Sequence, residues 1–182
     1  FREWVYITRV KGVSMSKAGM MGGAVMILAI VGAPLGGFLA DRWYRTTVHA
    51  RLLFSSISST ATALILFTAF MFFGGTVQYI ILLFGGMTAV AFVPAAAAVT
   101  QDVVHPGLRA ISYSLCVIVQ HILGSSIGPV FVGAVSDRYD ILTALTIVPV
   151  FSLIAGVLFL AGSRYYKRDL AKVEKVTIDA EK

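Results

Sequence analysis

Residues 32–51 read GAPLGGFLADRWYRTTVHAR. The first part is apolar and rich in glycine. The composition turns over at Asp41-Arg42, and three arginines follow within ten positions: Arg42, Arg45 and Arg51. An apolar helix ends here on a face that carries positive charge. That boundary locates a membrane surface and gives the rest of the chain its direction.

Upstream of the boundary, Ala18–Ala40 runs 23 residues without a charge. At 1.5 Å per residue this is roughly 34 Å, enough to cross a hydrocarbon layer of about 30 Å. Its glycines would weaken a soluble helix, but in a bilayer small residues let helices approach closely. Gly32 and Gly36 have the small-x-x-x-small spacing. Four further apolar runs follow: Leu52–Phe73, Val77–Thr100, Ala110–Val135 and Ile141–Gly162. Each is too long and too uniformly apolar for a barrel strand. The whole chain of 182 residues is 58% hydrophobic and 13% charged, where a soluble domain carries about 25% charged residues. The expectation is an all-α membrane protein with five transmembrane helices. Residues 1–17 form an extracytoplasmic lead-in or the end of a missing helix, 18–162 the five-helix bundle, and 163–182 a charged cytoplasmic tail.

The net charge of +6 invites a nucleic-acid reading. It fails because the basic residues sit between and after apolar runs, not on one soluble face. Cys116 is the single cysteine, so no disulfide can form within the chain. The second run is rich in hydroxyls, from Ser55 to Thr68. Two readings are open: a hydroxyl-lined pathway, or side chains bonded back to their own helix. With five spans, the polar segments alternate between two sides. Ten Lys/Arg fall on the side of the Asp41–Arg51 loop and the tail, five on the other. Basic residues concentrate on the cytoplasmic side. The C-terminus is therefore expected in the cytoplasm, with the protein in a plasma or inner membrane.

GFLADR at 37–42 and GAVSDR at 133–138 share the pattern G-x-x-x-D-R, each at the end of an apolar run with a proline upstream, Pro34 and Pro129. They lie three spans apart, so parity puts them on opposite faces. That is the arrangement of inverted repeats in secondary transporters. The glycine permits close helix contact, and the aspartate can face the positive N-terminus of a neighbouring helix. Gly37, Asp41, Arg42, Arg45, Gly133, Asp137 and Arg138 are thus candidate members of a conformational latch. The bland alternative is a stop signal with a membrane anchor.

These residues resemble the major facilitator superfamily. GGFLADRWYR is similar to its cytoplasmic loop motif G-x-x-x-D-R-x-G-R-R, with Gly37, Asp41, Arg42 and Arg45 matching, Tyr44 in place of a glycine and Thr46 in place of the last basic residue. Residues 4–19 resemble the family's link from the seventh to the eighth helix. Ala98–Ala110 and Gly124–Asp137 resemble its tenth-to-eleventh region, most of all in spinster-like members. The resemblance implies that the five spans correspond to helices eight to twelve of a twelve-helix transporter. The N-terminal bundle of the same transporter would then be the missing partner.

Candidate substrate contacts follow from polarity at depth. Gln120 and His121 are the strongly polar side chains within the fourth run, and such groups are expensive there and often functional. Ser125, four residues on, shares the His121 face, while Gln120 points about 100° away. A histidine bonded to a neighbouring helix is the plain alternative. The resemblance adds Met26, Thr88 and Gly86 as lining positions. All nine carboxylates lie outside the apolar runs, so a proton relay of buried Asp or Glu is not expected in this half. No metal-spaced cluster, P-loop or H-E-x-x-H is present, and neither enzyme activity nor a cofactor is expected. The function expected is secondary transport of a small organic anion or amphiphile, by symport. The alternative is a structural or half-transporter subunit acting only with a partner or as a homo-oligomer.

Overall fold

The structure is a computed structural model and describes residues 15–139 and 141–173. The lead-in before Met15 and the tail after Val173 lie outside the described residues. Among those described, the chain is helical, with α1 at Met15–Tyr44, α2 at Ala50–Met71, α3 at Gly75–Ala91 and α4 at Val93–Asp102. A 3-10 turn at Pro106–Leu108 leads into α5 at Arg109–Gln120, a wide π turn at His121–Ser126, and α6 at Ile127–Arg138. The last helix, α7, is Ile141–Leu170. Five stretches are long and apolar enough to cross a bilayer: Met20–Tyr44, Ala50–Met71, Gly75–Asp102, Pro106–Arg138 and Thr143–Leu170. This is the five-helix architecture expected from the apolar runs.

The ends differ from the expected boundaries. α1 continues through Asp41 and Arg42, α6 through Asp137 and Arg138, and α7 well past Gly162. Polar residues leave the hydrocarbon without leaving the helix, because backbone bonding propagates past the change in polarity. The turn between α2 and α3 is short, and Gly75 takes a φ of 62°, open to glycine at little cost. The third span divides at Phe92. Pro94 has no N–H to give to the Val90 carbonyl, and its ring crowds that position, so α3 ends and α4 begins there. α1 passes through Pro34, and α7 through Pro149, without interruption.

α2 is the central helix. It lies along α7 and against α3 and α4, while α1 packs on α3 and α4. The core is made of small residues: Ala50, Ser55, Ser56, Ser59, Thr62 and Ala63 of α2 are buried. Except for that of Ser59, which has no partner among the described residues, these hydroxyls follow both local and interhelical bonding. Ser55 and Thr62 donate to the carbonyls of Arg51 and Ser58, each at 2.9 Å. Ser56 donates to Gly156 of α7 at 2.7 Å, and Ser58 to Thr88 of α3 at 2.9 Å. Lipid tails offer no competing bonds, so such cross-helix donors hold the bundle together.

The contact between α1 and α3–α4 is a glycine seam. A Cβ on Gly32 would collide with the Met87 carbonyl oxygen, and one on Gly36 with that of Ala91. Gly37 continues the seam, with Pro94 3.3 Å from where its Cβ would stand. Gly86 meets Val25 in the same contact, so its role in the structure is close packing. By contrast, α5, the π turn and α6 contain no buried residue. α5 leans on α4, and α6 on α7.

Candidate functional site

Where α1 ends, the chain turns through Trp43–Thr47. Thr46 donates its backbone N–H and its hydroxyl to the Trp43 carbonyl, at 3.0 and 2.8 Å. The reversal puts the first turn of α2 beside the last turn of α1. Arg51 Nε and Nη2 both donate to Asp41 Oδ1, at 3.0 and 2.8 Å. Arg51 Nη1 donates to Asp102 Oδ2, at the end of α4. The Tyr166 hydroxyl, from α7, donates to the same Asp102 oxygen at 2.7 Å. The Arg51 guanidinium also lies 4.1 Å from the centre of the Tyr44 ring. His49 stands edge-on to Tyr166, with ring centres 6.5 Å apart. Arg51 thus ties α2 to α1 and α4, and Asp102 extends the cluster to α7.

The electrostatics explain why an arginine sits there. Asp41 and Asp102 are carboxylates at helix C-termini, where partial negative charge already collects. Arg51 is a cation at a helix N-terminus, where partial positive charge collects. Each is unfavourable alone, and pairing answers all three. A planar fork with five donors serves two carboxylates and stacks on a ring, which a lysine could not do. The two pairs are not equal. The Arg51 side chain is 16% exposed and that of Asp102 23%, whereas that of Asp41 is 62% exposed. The Asp102 pair is therefore the one screened least by solvent.

The expected latch residues part company. Asp41 pairs with Arg51, in the first turn of α2. Arg42 and Arg45 are exposed and pair with no acid among the described residues. At the other end, Gly133 has nothing within 4 Å of where a Cβ would stand. Asp137 is exposed and without an ion pair among the described residues, and Arg138 lies 6.0 Å from the Tyr139 ring centre. Arg51, Asp102 and Tyr166 were not among the expected site residues. Sequence separations of 51 and 64 hide the meetings of Asp102 with Arg51 and with Tyr166.

The second cluster is the wide turn in the fourth span. Pro129 lacks an N–H and crowds the carbonyl of Ser125, four residues before it. The chain opens into a π turn over His121–Ser126, a feature often found at functional positions. His121 Nδ1 lies 3.2 Å from Ser125 Oγ, so the two share a face as their spacing required. Both are exposed, and so is Gln120, which lines a separate space between α4 and α5. Met26 is exposed on α1. Thr88 is bonded into the α2–α3 contact: its hydroxyl is 3.0 Å from Thr62 Oγ1 and 3.1 Å from the Gly85 carbonyl. The five candidate contacts therefore form one bonded pair and three separate positions.

The bundle, its glycine seam and its Asp-Arg helix end can be set beside known proteins. The profile of the Major Facilitator Superfamily matches residues 3–179, nearly the whole chain. Comparison with curated proteins returned no match. The match covers all five spans and both G-x-x-x-D-R ends, and the chain belongs to the Major Facilitator Superfamily of membrane transporters.

Proposed function

We propose that this chain is the C-terminal bundle of a secondary active transporter that moves a small organic anion or amphiphile by alternating access. The observation that carries the reading is the His121–Ser125 pair. A hydrogen-bonded imidazole and hydroxyl stand on an exposed face at a widened turn, within a membrane-spanning stretch. Polar groups at such depth are costly unless they meet a partner, a cavity or a substrate. Neutral, the imidazole bonds a polar substrate; protonated, it pairs with an anion. That second state would couple transport to a proton, as symport. The likeness of Ala98–Ala110 and Gly124–Asp137 to spinster-like members supports an organic anion or amphiphile as cargo. The unburied fourth span favours a partner, which we take to be the N-terminal bundle of the same transporter.

The test is uptake of candidate anions by the whole protein in proteoliposomes, with and without a pH gradient. His121→Ala should abolish uptake while the amount of folded protein stays the same. Unchanged uptake would discard His121 as a ligand for substrate or proton. In the proposed topology, the Arg51 cluster and the C-terminus face the cytoplasm. Tyr139 is exposed beyond α6. A thiol at Tyr139→Cys, with Cys116 removed, should then react with an impermeant reagent added outside. Protection from outside and reaction from inside would reverse the orientation.

A further inference from the structure

Between α4 and α5 lies a cavity of about 380 Å³ that neither the ion cluster nor the His121 pair uses. Two facing helix stripes form most of its walls, with Leu52 of α2 and Phe159 of α7 completing them. α4 presents Ala97 and Thr100, and α5 presents Tyr113, Cys116 and Gln120. The helices are fixed in register by Ser112, whose hydroxyl donates to the Thr100 carbonyl at 2.8 Å. Thr100 opposite Tyr113 therefore marks one end of the space. Phe92 and Phe159, with ring centres 5.6 Å apart, line the deeper end. The Thr100 hydroxyl is already spent on the Ala97 carbonyl at 2.8 Å. What faces the cavity is overwhelmingly hydrocarbon, aromatic ring and thiol. Along either helix it extends roughly 10 Å.

The open end has a charge. Arg109 begins α5, one turn before Tyr113 and on the same face. It is exposed and bonds no carboxylate among the described residues. We propose that this cavity seats an acyl chain of a membrane phospholipid, drawn from the leaflet on the Arg109 side, with the phosphodiester against Arg109. Three observations converge on that occupant. The walls are apolar within membrane-spanning stretches, so water gains little there. The apolar slot and the unpaired cation lie in line along one helix face. The guanidinium suits a phosphodiester, which it can hold through two parallel N–H bonds. The site is independent of what is transported.

The experiment uses the whole protein in nanodiscs containing a phosphatidylcholine with a photoreactive diazirine in mid-chain. After illumination, adducts are mapped on peptides. They are expected on 93–100 and 113–120. Ala97→Trp, which fills the slot and excludes a few methylenes, should lower their yield about tenfold. A second measurement needs no variant. In detergent, alkylation of Cys116 by N-ethylmaleimide, read on its own peptide, should slow when phosphatidylcholine is added. Adducts confined to outward positions such as Leu64 and Phe67 would overturn the proposal. So would a Cys116 alkylation rate indifferent to phospholipid, the result expected if another helix of the protein fills the space.

Discussion

The two G-x-x-x-D-R ends share a sequence pattern and differ in nearly everything the pattern is used for. At 37–42, the glycine lies against Pro94 and the aspartate is clasped by Arg51. At 133–138, the glycine faces open space and the aspartate has no ion pair among the described residues. What separates them is the company of the helix. α1 lies against the centre of the bundle, and its end meets α2 and α4 through one arginine, with α7 joined through Asp102. Among the described residues, α6 packs chiefly on α7. A motif supplies groups that can bond, and the surroundings decide whether they do.

Paired variants at the two ends make this difference measurable, with thermal unfolding of the purified protein in detergent as the readout. Arg51→Ala should cost about 3 kcal/mol, since it strands two carboxylates at helix C-termini. Arg138→Ala should stay within about 0.5 kcal/mol of the parent. An Arg51 variant as stable as the parent would show that the cluster holds nothing together. Next in size is the glycine seam. Gly36→Ala drives a methyl into the Ala91 carbonyl and should cost about 2 kcal/mol. Gly133→Ala meets no atom and should change stability by less than about 1 kcal/mol, in the stabilising direction. Equal effects of the two alanines would erase the contrast.

Tyr166→Phe removes a single donor to Asp102 and should cost about 1.5 kcal/mol. The smallest effect lies inside the cluster. A double-mutant cycle should give Arg51 and Asp41 a coupling below about 1 kcal/mol, because that carboxylate is largely in solvent. The Arg51–Asp102 coupling should be larger and less sensitive to added salt. The reverse order would mean that exposure misjudges the pair.

The five spans were legible because a long apolar run has one solution in lipid, a helix that satisfies its own backbone. The glycine spacing at Gly32 and Gly36 likewise announced close contact. Helix ends were harder to read. Tyr166 belongs to a segment that looks like a charged tail, yet it lies on α7 and bonds Asp102. Arg51 read as one more positive charge on a basic loop, since nothing local shows that Asp102 will stand opposite it. The wide turn at His121 had a partial signal in Pro129, whose missing donor and bulky ring disturb the turn before it. The pairing of His121 with Ser125 followed from spacing alone. Thr88 was harder, because its placement depends on which face α3 gives to α2.

The glycine seam also has a mechanical meaning. Where backbone meets backbone there are no side chains to change rotamer, and sliding would mean losing contact outright. α1 and α3–α4 are therefore expected to share one stiffness. α1 alone has 30 residues, which makes a rod of roughly 45 Å. A push at its Asp41 end is expected to reach the far end as displacement, with little absorbed on the way. The compliance of the bundle is left to the helix with no buried residue, at the one place where its winding is already loosened.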